Sequence, residues 1–475
     1  MTRLNLMTSL AACACLYSTP SLSQQAPWAR PDVPVSSHDR VYAAEQFSNT
    51  VSVVDPASNK LLGVIKLGDP QPMNMSPLYK GQVLVHGMGY SPDGRTLAIV
   101  SIASNSVTFI DTATNTVKHT TYVGRSPHEA FFTPDGSEVW VTVRGEDYVS
   151  VLDARTFAEK DRVKTAGGPG MTIFSPDGRY AYVCSSFNPE IAIFETRSRK
   201  RAGTVVQPSP FCPNIAATPD GKQVWFTLKD VGRTVVFSAK PPFAILKSMD
   251  TGPITNHVNF AKTKEGLRAY VTIGGENKVR VFRTDTFQET ATIPVGALPH
   301  GVWPSGDGSR IYVGLENADK LTAIDTASNK VVAEVPIGQA PQAIAYVPNA
   351  VSGDGLANLQ PLGTAAEATK LTLANVSDGK PATSVTLFEQ GLTQIVQAAA
   401  VGLQPKHPYV LALSNHADGS GANQPLSRFM TNPAGSAIVN ATGPIRQLVK
   451  PGAAAPQRYL IIAEEAGRVV QVQAK

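Results

Sequence analysis

One aromatic position returns along the chain at Trp140, Tyr182, Trp225, Tyr270 and Tyr312, in steps of 42, 43, 45 and 42 residues. Each lies in an apolar run bounded by turn formers. The unit from His300 to Gly338 shows the pattern: GVW, the turn SGDGS, RIYVGL, the break ENAD, KLTAID, the turn TASNK, then VVAEVPI. β-Branched residues in alternation mark strands, and Gly, Asn, Asp and Ser mark turns. A second interval agrees: 19 residues separate Pro92 from Asp111, Pro134 from Asp153, Pro176 from Glu195 and Pro219 from Ser238. A four-stranded meander cannot bury both its faces alone. Repeated at this period it predicts a β-propeller, a ring in which each sheet covers its neighbour. Val41–Gly68 matches the last three strands of a unit, and the missing first strand recurs at Gln342–Val347. The expectation is therefore all-β: a seven-bladed propeller closed by N- and C-terminal strands in one blade.

YVTI at Tyr270, YVGL at Tyr312, WVTV at Trp140 and the recurrent IDT-x-[ST]-N-K resemble the YVTN-type β-propeller repeat family. The resemblance spans roughly Val41–Val347. It implies the fold and leaves the activity open, because one fold hosts many functions.

Composition fits such a chain. Charged residues are only 17%, with 38 Gly and 36 Pro, as a turn-rich β protein requires. A net charge of +5 over 475 residues, with no basic stripe carrying interleaved aromatics, argues against nucleic acid. No later apolar run is long enough to span a bilayer. Residues 1–23 read as a signal peptide: Arg3, the apolar LNLMTSLAACACL, then small Ser21 and Ser23. A minority reading takes LAAC, ending at Cys13, as a lipoprotein box. Either implies export to the periplasm or medium, an oxidising compartment. There Cys184, late in one second strand, and Cys212, before the next first strand, are expected to form a disulfide between adjacent blades.

Residues 24–40 read as a linker, 41–348 as the propeller, 349–370 as a second linker and 371–475 as a small β-sandwich accessory domain. The connection between Gly68 and His86 is longer than its counterparts and rich in Pro and Met; strand polarity puts it on the rim where first strands begin, where it either covers the channel mouth or is a plain surface loop.

The residues that suggest a site are histidines. His86, His128 and His300 each precede the turn Pro, or its equivalent Gly306, by six residues. His257 joins them if its first hairpin, AKTKEGLR, holds one extra residue. The other blades place Gly170, Pro213 and Gln342 there. First strands are innermost, so four imidazoles would face one channel mouth. Such a ring suits a bound metal, copper or zinc, or an anionic ligand. The plainer account makes each a donor to the neighbouring blade. Loops from second to third strand reach the same rim with Glu45, Arg144, Glu146, Asp147, Lys229, Glu276, Asn277, Glu316 and Asn317, a mixed-charge mouth for a polar ligand. The aspartates of the PDG turns (Asp93, Asp135, Asp177, Asp220) and after third strands (Asp55, Asp111, Asp153, Asp325) read as turn formers. His407 and His416 in the last domain read as surface residues.

CxxCH, GxSxG, HExxH and a phosphate-cradling Gly loop are all absent. The expected function is an exported propeller that binds a small polar ligand or a protein partner through His86, His128, His257, His300, Gln342, Arg144, Glu276 and Glu316. The alternative is a metal-dependent (copper or zinc) periplasmic oxidoreductase or lactonase-like hydrolase acting in the channel.

Overall fold

The computed structural model describes residues 34–68, 83–363, 368–390, 393–450 and 456–474. The expected signal peptide, residues 1–23, and the Pro- and Met-rich stretch 69–82 lie outside them. Seven four-stranded antiparallel sheets form the propeller. Blade 1 joins Pro341–Val347 to Arg40–Glu45, Thr50–Asp55 and Lys60–Lys66. Blades 2 to 7 run Val85–Tyr122, Pro127–Lys164, Pro169–Val206, Ile215–Asp250, Thr255–Pro294 and Pro299–Pro336.

The clasp is as the sequence implied. Tyr42 pairs with Ala345 and Val41 with Tyr346. Asp39 strengthens it by accepting from the Tyr346 hydroxyl and the Asn349 amide. Residues just before and after the ring are therefore tied down. Asn115 donates to the carbonyls of Gly355 and Ala357, and Gln360 bridges to Val64 on the outer strand of blade 1.

The recurrent aromatics hold the blades to one another. Trp140, Tyr182, Trp225, Tyr270 and Tyr312 are all fully buried. Trp140 meets Phe174 of the next blade edge-on at 5.4 Å, Trp225 meets Phe260 at 5.8 Å, and Tyr312 stacks on Tyr346 at 5.8 Å. Large rings between twisted sheets bury much apolar area with little side-chain entropy lost, which favours one ring geometry.

The turn aspartates do what their positions suggest. Asp93, Asp135, Asp177 and Asp220 each accept from the amide two residues on and from a Ser or Thr hydroxyl two residues back. Asp111, Asp153 and Asp325 accept turn amides after their third strands. Cys184 and Cys212 form a disulfide linking the second strand of blade 4 to the entry of blade 5.

The C-terminal module is one eight-stranded antiparallel sheet. It curls until its edge strands, Asn423–Met430 and Ala437–Gly443, lie beside each other, so the two faces of a sandwich come from one rolled sheet around Leu373, Val396, Leu411 and Ile462. Asn423–Met430 lacks a clear alternating signature because it is a half-exposed edge strand.

Candidate functional site at the mouth of the bore

Strand pairing fixes which residues are equivalent from blade to blade. Ala130 pairs with Val141 in blade 3, Val302 with Val313 in blade 7, and Val258 with Val271 in blade 6. His128 and His300 therefore correspond, as do His86 and Gln342. His257 does not. It occupies the next position, shared with Gly87, Glu129, Met171, Asn214, Gly301 and Ala343, and Asn256 takes the histidine position. The expected register of four histidines is thus three, with His257 displaced by one. Two extra residues, not one, extend the first hairpin of blade 6, whose strands run to Thr263 and from Gly266. An even insertion preserves the face of every side chain, whereas a single residue would flip the strand.

The two levels have different surroundings. Glu129, Met171, Asn214, His257 and Ala343, with Met88, Phe131 and Trp303, line a cavity of about 30 Å³ inside the bore. At the outer level, His128 Nδ1 donates to the Gly170 carbonyl and His300 Nδ1 to the Gln342 carbonyl, both at 2.8 Å. A carbonyl only accepts, so Nδ1 carries the proton and Nε2 holds the lone pair. The blade-to-blade hydrogen bond is therefore real for these two histidines. His86 Nδ1 is buried without a partner among the described residues.

The four rings form two pairs. His86 lies 4.4 Å from His128, and His257 lies 4.6 Å from His300, between ring centroids. All are 5–8% exposed. Burial holds them well below the ordinary histidine range, His300 at about 3. Neutral imidazoles with free lone pairs result. The four do not share one coordination sphere. Among the described residues, the group whose donor atoms converge is His86, His128 and Glu129.

Above the imidazoles, the position after the second strand holds Arg144 in blade 3, Lys229 in blade 5 and Glu316 in blade 7. Arg144 is half-buried between Phe187 and Phe211, 5.5 and 5.4 Å from the ring centroids, and its Nε has no acceptor. The disulfide anchors both aromatic segments, since Cys184 and Cys212 are three and one residues away. Burial lowers the pKa of Lys229, and the Glu316 carboxylate partly offsets it. Glu316 accepts from Gln397 Nε2 of the C-terminal sheet at 2.6 Å, leaving its other oxygen 4.0 Å from His300 Nε2.

The rolled sheet sits on this rim. Thr386 donates to the Asn317 carbonyl, Gln390 to the Phe47 carbonyl, and Phe388 packs on Phe47 at 4.8 Å. Val401 and Ala399 cover Ile254 and Leu298. Glu276 belongs to this seam and is ion-paired with Lys278. Gln342 contributes its carbonyl to His300 while its side chain turns back to Ala340. Glu45 is fully buried, accepting from Thr50 and the Gly338 amide. Glu45 thus serves the framework, the Gln342 side chain turns from the mouth, and Glu276 stays exposed beside Lys278.

Residues 38–331 match the sequence family described as "Lactonase, 7-bladed beta-propeller". The chain belongs to that family. No curated protein matches this lactonase-family chain. Among solved structures, it is similar to a functionally unknown protein from Desulfotomaculum acetoxidans, at 14% identity and a TM-score of 0.55, over 65% of this chain and 98% of that one. It is also similar to Kuenenia stuttgartiensis hydrazine synthase, at 19% identity and a TM-score of 0.49, over 67% and 96% of the two chains. At such identities the likeness is one of fold.

Sequence reasoning missed Glu129 in this family member. The signal was present: HEAFF places a carboxylate next to a histidine inside an apolar inner strand. Gly87 was also missed. A Cβ there would lie 2.1 Å from the His128 carbonyl and 2.6 Å from Glu129 Oε2, so the Glu129 carboxylate occupies the space that Gly87 leaves empty.

Proposed function

We propose that this propeller binds a small anionic ligand, of the carboxylate class, at the histidine-bearing mouth of its bore. One observation carries the reading: Arg144 and Lys229 stand at equivalent, partly buried positions there, and Arg144 makes no hydrogen bond or ion pair to a carboxylate among the described residues, while Lys229 feels Glu316 and Asp230 only across space. A partly buried guanidinium without a counter-charge is costly. Neutral imidazoles around the two cations add hydrogen-bonding capacity without charge, and Phe187 and Phe211 supply an apolar wall. Export is part of the proposal, supported by the disulfide. Recovery of the chain from a cytoplasmic fraction with both thiols reduced would contradict that part.

A lactonase-like hydrolysis is the second reading, favoured by the family match. Hydrolysis of a lactone yields a hydroxycarboxylate, which the same cations would receive. Acid–base chemistry fits less well, because an imidazole held at about 3 is a feeble base at neutral pH. Binding is therefore placed first. Calorimetric titration with 4-hydroxybutyrate, beside a hydrolysis assay on γ-butyrolactone, separates the two. The account expects saturable acid binding, weakened about tenfold or more in Lys229→Gln and Arg144→Gln, without lactone turnover. Turnover lost in the same variants would move the assignment to the hydrolase. Neither binding nor turnover would remove both.

A further inference from the structure

From the buried donor set on blades 2 and 3 we infer a divalent transition-metal site made by His86, His128 and Glu129. None of its ligands is Arg144 or Lys229, although the Arg144 charge lies close enough to act on both imidazoles and opposes a second cation there. The donor atoms of these three residues all lie within 4.8 Å of one another, and the side chains are 3–8% exposed. A tetrahedral ion with bonds of about 2.1 Å needs donors about 3.4 Å apart. Modest side-chain rotation therefore brings the three donors to ligand distance.

Three further observations point the same way. His128 Nδ1 is committed to the Gly170 carbonyl, which orients the ring and leaves Nε2 as the ligand atom. An oriented imidazole with an outer carbonyl partner is the arrangement metal-binding histidines use. His86 Nδ1 is buried with no hydrogen-bond partner among the described residues, which is costly for a polar atom. Glu129 accepts one backbone amide, from Met88 at 3.2 Å, and borders the 30 Å³ cavity. That void has room for about one or two water molecules, so a fourth coordination position would open into the cavity that His257 also lines. Two imidazoles and one carboxylate with an open position suit zinc, and by ligand type also copper(II) or iron(II).

The His257–His300 pair is the internal control. It has the same ring spacing but Gly301 stands where Glu129 does on blade 3, so no carboxylate joins it from the inner level. Glu316 approaches His300 only to 4.0 Å and is held by Gln397.

The experiment is metal content and calorimetric titration of the full chain, stripped with chelator and reloaded separately with Zn²⁺, Cu²⁺ and Fe²⁺. One ion per chain is expected, with a raised Tm. Glu129→Gln, which keeps the side-chain volume, should weaken binding at least tenfold, and so should His86→Gln, whose ring makes no framework hydrogen bond. His257→Asn and His300→Asn should change affinity by less than about twofold. The chelated variants should unfold near the wild-type Tm, which separates lost ligation from lost folding. A chain that retains no stoichiometric ion of any of the three overturns the site. So does equal loss in the His257 and His300 variants, or wild-type binding by Glu129→Gln.

Discussion

The two imidazole pairs stand on opposite arcs of one ring and share ring spacing, burial and depressed basicity, yet their neighbours differ. The pair from blades 2 and 3 has Glu129 beside it and Arg144 above it, flanked by Phe187 and Phe211. The pair from blades 6 and 7 has Lys229 and Glu316 nearby, and the C-terminal sheet seats Gln397 on Glu316. His86, His128 and His300 share one repeat position while His257 stands one residue on, and the residues around each pair give it its chemistry. A repeated residue is therefore evidence of the framework, and the departures from repetition mark the site.

The strongest way to break this comparison is steric. Gly87→Ala would push a methyl onto the His128 carbonyl and the Glu129 carboxylate, while Gly301→Ala meets the Gln342 carbonyl at 2.6 Å and no side chain of the site. Urea unfolding should show a loss of about 3 kcal/mol for the first and about 2 kcal/mol for the second. Only Gly87→Ala should also impair the pair on blades 2 and 3; equal damage to both pairs would erase the distinction.

Gln397→Leu tests the roofed side. It strips Glu316 of a buried donor and should cost about 2 kcal/mol. Proteolysis between propeller and C-terminal sheet should quicken, while Arg144 and its aromatic neighbours stay as they are. Unchanged stability would mean that the sheet is not held through this contact.

The seam also sets a pH response. Burial raises Glu45 and Asp319 to about 7, and Lys370 and the Ala340 amide only partly relieve Asp319. The native state then keeps protons that the unfolded chain releases, so stability falls as pH climbs from about 4 to 7 and levels off above. Each group contributes a slope of at most about 1.4 kcal/mol per pH unit. Asp319→Asn should flatten its share in a Tm-against-pH series; an unchanged slope would assign the decline elsewhere.

The smallest effect concerns the shared framework. Thr142 donates to the Gly170 carbonyl at 2.9 Å and Thr272 to the His300 carbonyl at 2.8 Å, at equivalent positions beneath the two pairs. Thr142→Val and Thr272→Val should each cost about 1 kcal/mol. A large inequality would show that the arcs differ in scaffold and not only in the company of their histidines.

The ring was legible because its period, turn aspartates and buried aromatics all follow local rules that each blade must satisfy. The clasp was legible for the same reason, since Val41–Gly68 lacks a first strand and Gln342–Val347 supplies one. The site was only partly legible. His86, His128 and His300 could be aligned by counting, but His257 could not, because hairpin length in blade 6 is settled by strand pairing. Glu129 matters through its approach to Gly87, a contact across blades that no single repeat encodes. The seating of Gln397 on Glu316 joins residues 81 apart and leaves no local trace. The edge strand Asn423–Met430, half-wetted along its length, gave too little alternation to be seen.

A crystal structure of the full chain grown with 4-hydroxybutyrate tests the central claim most directly. The account predicts the carboxylate at the mouth of the bore, within hydrogen-bond distance of Lys229 Nζ or the Arg144 guanidinium, with Phe187 or Phe211 against its carbon chain. A mouth empty at saturating ligand, with both cations turned to solvent, would contradict it.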